Sequence, residues 1–535
     1  MAQTIYKRQL IGQQSGVQVN MPRDTVERLL SELGNQSFSV VGQFTRGRID
    51  KPFQVSSSKM QRYLGKPQSM RKNAANETYV QIFEAFANGA AAAVVSRVVS
   101  SNAVNKWIVV KKDPSTPIDV GETLDNGSDN WLFAVKIADC INDGVYATII
   151  QEDADGYEYT VTIRERDADS LGKETGSGEQ LYQFSGSLKV DALDDVGESY
   201  YIGDVAAKYY GDWVEIDVNE NATSDKTTFK TAQSATVVNF VDGASPDANA
   251  YQKAAIALGN TPLQYRYIMG DSNNTALITT LLGVAQKYNR IMMQEISGSL
   301  TPNAAIAWKN TFNYNAQGGM YCLWIWSPIK RKDPTNASGV YQYGTVGQKI
   351  GYACARNSQT NGFGLAKMNQ PIAGKDYYLS GESITQTYFP DDVELAELAK
   401  NHINPVLYAE YHDGSGFVWD DSLSGAKKNG ISRLENAVEV SQWIQDKCGK
   451  YSRSLLQKPM TEAIRSMKRF LEDELQAMAA SGWITASTQL GGSPYSYSVA
   501  PSDRNPEDEM QVTVNIAIDG VVRRIFVSQN MYSRS

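Results

Sequence analysis

Apolar residues change their spacing several times along this chain, and each change marks a new element. Residues 38–41 (FSVV) are a short apolar run stopped by Gly42, which predicts a strand. Thr45-Arg46-Gly47-Arg48 then turns the chain, and 52–55 predicts a second extended piece. Tyr79, Ile82, Phe83 and Phe86 recur at helical spacing, so 79–87 reads as a helix ended by Asn88-Gly89, and 93–99 returns to strand. From Trp107 the rhythm becomes short alternating strands and turns: WIVVKK, WLFAVKIA, GVYATIIQE, GYEYTVTIRER, LYQFSGSLKV and WVEIDV, with Asp155-Gly156 as a hairpin turn. This predicts an all-β domain inserted over 106–230.

The α/β rhythm then resumes. Strands are expected at 236–241, 265–269, 290–295 and 320–326, separated by helices at 247–258, 275–287 and 302–312. Strands alternating with helices imply a parallel or mixed sheet covered by helices. The run MYCLWIWSP is apolar on both faces, as a central strand should be. Further on, 392–401 is helical, Ile431 opens another helix, and 459–481 is a third, ended by Gly482-Trp483-Ile484. In this last helix Met460, Ile464, Met467, Leu471 and Leu475 keep a 3.6-residue period and should face a core. Arg465 and Arg469 project to one side, with Lys468 nearer the apolar edge and Lys458 ahead of the first turn. Residues 511–518 alternate (Val512, Val514, Ile516, Ile518), Asp519-Gly520 offers a tight turn, and 521–527 continues as strand. The first 20 residues alternate loosely (Ile5, Leu10, Ile11, Val17, Val19) and hold too little apolar mass to fold alone, so they read as an extended arm. The fold class expected is a multidomain α+β / α/β chain. An arm at 1–25 precedes an α/β mixed-sheet core at 26–105 plus 231–345. The all-β insertion and a C-terminal α+β domain at 346–535 complete it.

At 535 residues several domains are expected, since single cores stop growing at roughly 250–300 residues. No run approaches the roughly 18 apolar residues that span a bilayer, and the opening residues lack the apolar stretch of a secretion signal. Cys140, Cys322, Cys354 and Cys448 are far apart in apolar contexts and read as reduced core residues, so assembly in cytoplasm is expected. Net charge is −8 but unevenly spread: 131–220 holds 20 acidic and 6 basic residues, whereas 425–470 holds 10 basic and 4 acidic. Such polarity fits either plain solvated faces or two surfaces with different surroundings.

Candidate chemistry is sparse. His402 lies near a helix end, where it caps a carbonyl more naturally than it binds metal, and His412 has no third ligand nearby. The glycine loops at 361–364 and 425–430 match neither phosphate-cradling motif. Glu152-Asp153 and Asp194-Asp195 sit in turns, and nothing places two such carboxylates across a cleft. No catalytic, cofactor or metal residue is assigned, and no enzyme is expected.

Five short motifs in the first hundred residues follow in the order seen in contractile tail sheath proteins: Val40-x-Gly42, Arg46-Gly47, Tyr63-Leu64-Gly65, Asn88-Gly89 and Ser96-Arg97-Val98. The chain resembles that family again at Ser327-Pro328, at GQKIGYACARNSQTNGFGLAKMNQPIAG, at Ile403-Asn404, and at the helix end before Gly482. It departs from the family at Asn357, where an Asp is usual, and at Lys367-Met368, where Pro-Ala is usual. The resemblance implies a non-enzymatic virion subunit, stacked as six-membered rings around a tail tube. Contraction would drive the tube through a host envelope, with baseplate and tail terminator proteins as further partners. It also implies that Lys458, Arg465, Lys468 and Arg469 face an acidic tube. Strands around Ile5, Val17, Val19 and around Val512, Val514, Ile516, Ile518 would cross to neighbouring subunits. The acidic insertion would point outward. No nucleic acid or membrane insertion is implied. Readings from other classes are a carbohydrate-binding or hydrolytic surface protein acting through the β insertion, and a capsid or surface-layer lattice protein. A bacteriocin or secretion-system sheath is a further variant.

Overall fold

The computed structural model describes residues 34–113, 115–153, 155–168, 172–221, 232–243, 245–314, 318–336, 339–427 and 430–529, with the backbone of 6–7 and 17–18. The chain begins its core with β1 (Ser37–Gly42) and β2 (Phe53–Val55), then α1 (Glu77–Ala87) and β3 (Ala92–Arg97). Val104–Asn105 leads out of the core and Phe240–Val241 leads back, paired antiparallel side by side. Everything between is a separate unit: β4 (Trp107–Lys111), β5 (Ile118–Gly121), β6 (Trp131–Ile137), β7 (Val145–Gln151), β8 (Glu158–Glu165), β9 (Gln180–Ser187), α2 (Ile202–Tyr210), β10 (Val214–Val218) and β11 (Gln233–Val237). Its strands form two four-stranded sheets, ordered β9-β8-β7-β11 and β10-β6-β4-β5, around one apolar core that includes Phe133, Tyr159, Ile163 and Ile202.

This unit corrects two expectations. It is not all-β, because 202–210 is helical: Ile202 and Ala206 bury one face of α2 while Asp204 and Lys208 face water. A nine-residue helix shows too few turns to stand out among alternating strands. The strand expected at 236–241 is two pieces, β11 inside the unit and Phe240–Val241 in its stalk.

Past the stalk the core continues with α3 (Ala248–Asn260), β12 (Tyr267–Gly270), α4 (Thr275–Lys287), β13 (Ile291–Ile296), α5 (Pro302–Asn310) and β14 (Cys322–Trp326). Then follow α6 (Val346–Ser358), α7 (Asp392–Lys400), β15 (Ile403–Tyr411) and β16 (Gly414–Trp419). Helix starts are marked locally, with Asp247, Asn274 and Thr301 accepting from backbone amides three residues on, and Asp391 with Glu394 forming a capping box. The eight strands run β16-β15-β14-β13-β12-β1-β3-β2, parallel from β15 to β3, with antiparallel strands at both edges. Helices cover both faces, so β1, β3, β12, β13 and β14 are buried along their whole length. Successive residues serve opposite layers: Met293 packs with α1 and α6, Met292 with α3 and α4. Backbone amides of Gly374 and Leu379 donate to Trp419 and Phe417 and so close the outer edge of β16.

The inserted unit is latched to this core by arginines in or next to the motifs that carried the resemblance. Arg46 pairs with Glu165 at 2.5 Å, Arg48 with Asp212 at 3.0 Å, and Arg62 with the fully buried Asp139. Arg97 donates to the Cys140 carbonyl at 2.6 Å and to Asn142 at 2.7 Å. Gly47 lets the backbone turn at φ +117° under the Phe53 ring, which a Cβ would meet at 2.7 Å. Part of the acidic excess of 131–220 is thus spent on core arginines.

The C-terminal part consists of α8 (Glu435–Leu455), α9 (Met460–Ala480), β17 (Tyr495–Pro501) and β18 (Met510–Ile516). Its core joins both helices to the hairpin through Val440, Ile444, Met467, Leu471, Leu475, Trp483 and Val499.

Candidate functional site

Reactive side chains do not converge. His402 is buried with φ +54°, just past the end of α7, and His412 is exposed with Asp413 at 3.5 Å. The four cysteines are free thiols, and burial pushes Cys140 up to about 12. Among the described residues no three or more His, Cys, Asp or Glu are placed to hold a metal ion, and no helix is long and apolar enough to cross a membrane. Asp153 accepts the amides of Tyr157 and Glu158, and Asp194 those of Val196 and Glu198, so both carboxylates close their own turns. Asn361 likewise accepts from Phe363 and Leu365. A cavity of about 260 Å³ lies beyond β1 beside the inserted unit, lined by Gln43, Asn73, Asn76, Asn142 and Asp242. Each of these is already bonded within the chain: to Tyr251, Ala75, Gln68, Arg97 and Ser100 respectively.

What the fold does leave open is a strand edge. The alternation of 495–501 and 510–516 makes an antiparallel pair running from Tyr495 opposite Ile516 to Pro501 opposite Met510. Val512, Val514 and Ile516 turn one face toward α9, and the Tyr495 and Tyr497 hydroxyls donate to Glu472 of α9 at 3.0 and 2.8 Å. Among the described residues this sheet has two strands only, so neither outer edge is paired. Each edge presents main-chain donors and acceptors to any incoming strand.

The hairpin expected across Asp519-Gly520 is not formed. The partner of the strand at Val512, Val514 and Ile516 is β17, Ile518 bridges to Ile484, and 521–529 has no strand. Asn436 holds the Asp519 carbonyl at 3.0 Å and Arg523 pairs with Asp421, after which the chain leaves the surface. Ile525, Phe526 and Val527 are then 78%, 88% and 88% exposed. Three large apolar side chains in a row, bare to water, have no partner among the described residues of their own subunit.

At the other end, Tyr6–Lys7 pairs parallel with Val17–Gln18, while Ile5 and Val19 lie outside the described residues. On α9, Ala463, Met467, Leu471, Leu475 and Met478 are buried, with Met460 and Ile464 half-buried. Arg465, Lys468 and Arg469 are exposed and without an ion pair among the described residues. Lys458 differs, being tied to Glu462 at 3.4 Å. Three free cations therefore share the helix side away from the core.

Compared with models of protein families and with curated proteins, the chain matches none. Among solved structures it is similar to the baseplate of the anti-feeding prophage (AFP), at 12% identity over 56% of this chain and 78% of that one, with TM-score 0.41. It is similar as well to the contracted sheath complex of PVC, an extracellular contractile injection system, at 12% identity over 56% and 76%, with TM-score 0.42. A third is the contracted helical sheath of AFP, at 11% identity over 53% and 74%, with TM-score 0.40.

Proposed function

We propose that this protein is the structural subunit of a contractile tail sheath, polymerising as stacked six-membered rings around a tail tube. One observation carries the reading: among the described residues, a two-stranded sheet has both edges unpaired and is followed by a bare apolar tail that nothing covers. Strands donated by neighbours would fill those edges with main-chain hydrogen bonds, which survive rotation and sliding of subunits better than side-chain contacts. The residues 1–25 arm and the segment after Ile518 are the donors. Arg465, Lys468 and Arg469 face an acidic tube through a salt-sensitive contact, strong enough to set register and weak enough to let go. The inserted unit points outward. The extended lattice stores assembly energy and relaxes to a shorter, wider one with more buried interface, which drives the tube through the host envelope without a nucleotide site. Baseplate and terminator proteins bound the polymer, which is assembled in the host cytoplasm and carried in the virion tail. Negative-stain microscopy of the overexpressed chain tests the reading, with long hollow tubes as the expected result. Removing residues 1–20 should leave a folded monomer, by circular dichroism and sedimentation, that forms no tubes. Tubes of normal length from that truncation overturn the strand-donation mechanism.

A further inference from the structure

The segment Tyr343–Thr345 enters α6 through a polar knot that the sheath reading does not use. Two carboxyls cap the buried start of α6 from other elements: Glu77 of α1 accepts the Gly344 amide at 2.9 Å, and Glu295 of β13 accepts the Thr345 amide at 2.8 Å. Gln81 takes the Gly347 amide at 2.7 Å. The approach is so close that a Cβ on Gly344 would lie 2.5 Å from the Glu295 side chain. Asp271, at the end of β12, joins from the side with a buried, unpartnered Oδ2. Beyond them, Arg331 forks onto Glu84 of α1, reaches the Gly344 carbonyl, and stacks 4.0 Å from the Tyr343 ring. Tyr343 donates to Glu84 at 3.2 Å, Gln348 of α6 does so at 3.1 Å, and Asp333 lies buried behind Tyr343.

The charges do not balance. Five carboxyls gather here, Glu77, Glu84, Asp271, Glu295 and Asp333, while among the described residues Arg331 pairs with Glu84 and of the other four bears only on Glu295. Glu295 is 6% exposed and keeps Oε1 without a partner, so ionising it leaves a charge away from water. We propose that this knot is a proton-loaded joint, which binds protons as the subunit folds and loosens the start of α6 from α1 and β13 as they are lost. Burial pushes Glu295 up to about 7 and Asp271 up to about 6. Burial, with Asp271 and Glu295 beside it, raises Glu77 to about 8. A carboxyl protonated in the folded chain but ionised in the unfolded one stabilises most fully below the ordinary carboxylate range. That contribution declines above it and is gone once pH has risen through the folded value. Stability from this joint therefore falls between about pH 5 and pH 8.

The joint is tested on the full chain by melting temperature from pH 5.5 to 8.5. A fall of roughly 5 °C over that range is expected for the wild type. Glu295→Gln keeps an oxygen for the Thr345 amide but has no proton to lose, so the slope should drop by about half. Glu77→Gln, at a less enclosed position, should flatten the profile in the same direction. Hydrogen exchange at Gly344, Thr345 and Gly347 should speed up with pH beyond the intrinsic base-catalysed rise in the wild type, and less so in the variants. A flat wild-type profile, or an unchanged slope in both variants, overturns the proposal. Neither result depends on tube formation, so it stands or falls apart from the sheath reading.

Discussion

Glu439 lies near the start of α8, yet it is fully buried. Its carboxylate pairs with Arg356 of α6 at 2.5 Å and accepts from the Tyr267 hydroxyl at 2.7 Å, while its carbonyl accepts from Arg266. One turn earlier Glu435 meets Lys349 at 3.0 Å, so two pairs seven residues apart on α6 and four apart on α8 fasten the helices together. Removing one partner strands the other charge in the interior. Glu439→Ala should cost about 3–5 kcal/mol in urea unfolding, whereas replacing both partners with apolar residues should cost far less. The departure from the family pattern at Asn357 fits the same neighbourhood. Its amide donates to the Asn35 carbonyl at 2.9 Å and to Tyr267 at 2.8 Å, two bonds that an aspartate could not donate. None of this shows in the sequence, because Lys, Arg and Glu at helical spacing read as a solvated face until the facing element is known.

Helix α9 and the strand at 510–516 were legible in outline because burial imposes a period on each, whereas the strand at 495–501 was not read from the sequence. Met467, Leu471 and Leu475 at helical spacing face the core, and Val512, Val514 and Ile516 at spacing two face the same core from the other side. The pairing was not legible, since an Asp-Gly dipeptide signals a turn only when both flanks have a surface to cover. Beyond Val521, which packs beside Leu423 and Leu434, the side chains of Val522, Ile525, Phe526 and Val527 find no apolar surface among the described residues, and the strand at 495–501 takes their place. Reversing Arg465 and Arg469 to Glu should leave the melting temperature within about 1 °C, as expected at exposed positions. The same change should abolish assembly on purified tubes at low salt while free tubes still form. Unaltered assembly on tubes at all salt concentrations would show that this side of α9 meets nothing charged.

Across the chain, the inserted unit leaves and rejoins the core through adjacent strands, Asn105 facing Phe240. Ends this close allow the unit to be excised and replaced by a short glycine-serine linker. The remaining core should fold, with lower stability in urea unfolding because Arg46, Arg48 and Arg97 lose the partners that satisfy their buried donors. Tubes formed by the excised chain should be narrower in micrographs. Unchanged stability would mean that the latch contributes nothing, and unchanged width would place the unit elsewhere than on the outside.

Period and punctuation, read along the chain, determined the order of strands and helices, the inserted strands and the buried faces, because burial repeats every two or 3.6 residues wherever it occurs. Glycine and capping residues marked the ends for the same local reason. Three-dimensional packing alone decided which charges are interior, where the inserted unit begins and ends, that it includes a helix, and which strands are left without a neighbour. Those are relations between residues as far as 322 positions apart, such as Asn35 and Asn357. No local pattern encodes them, since a side chain's partner is set by which surfaces the folded core brings together.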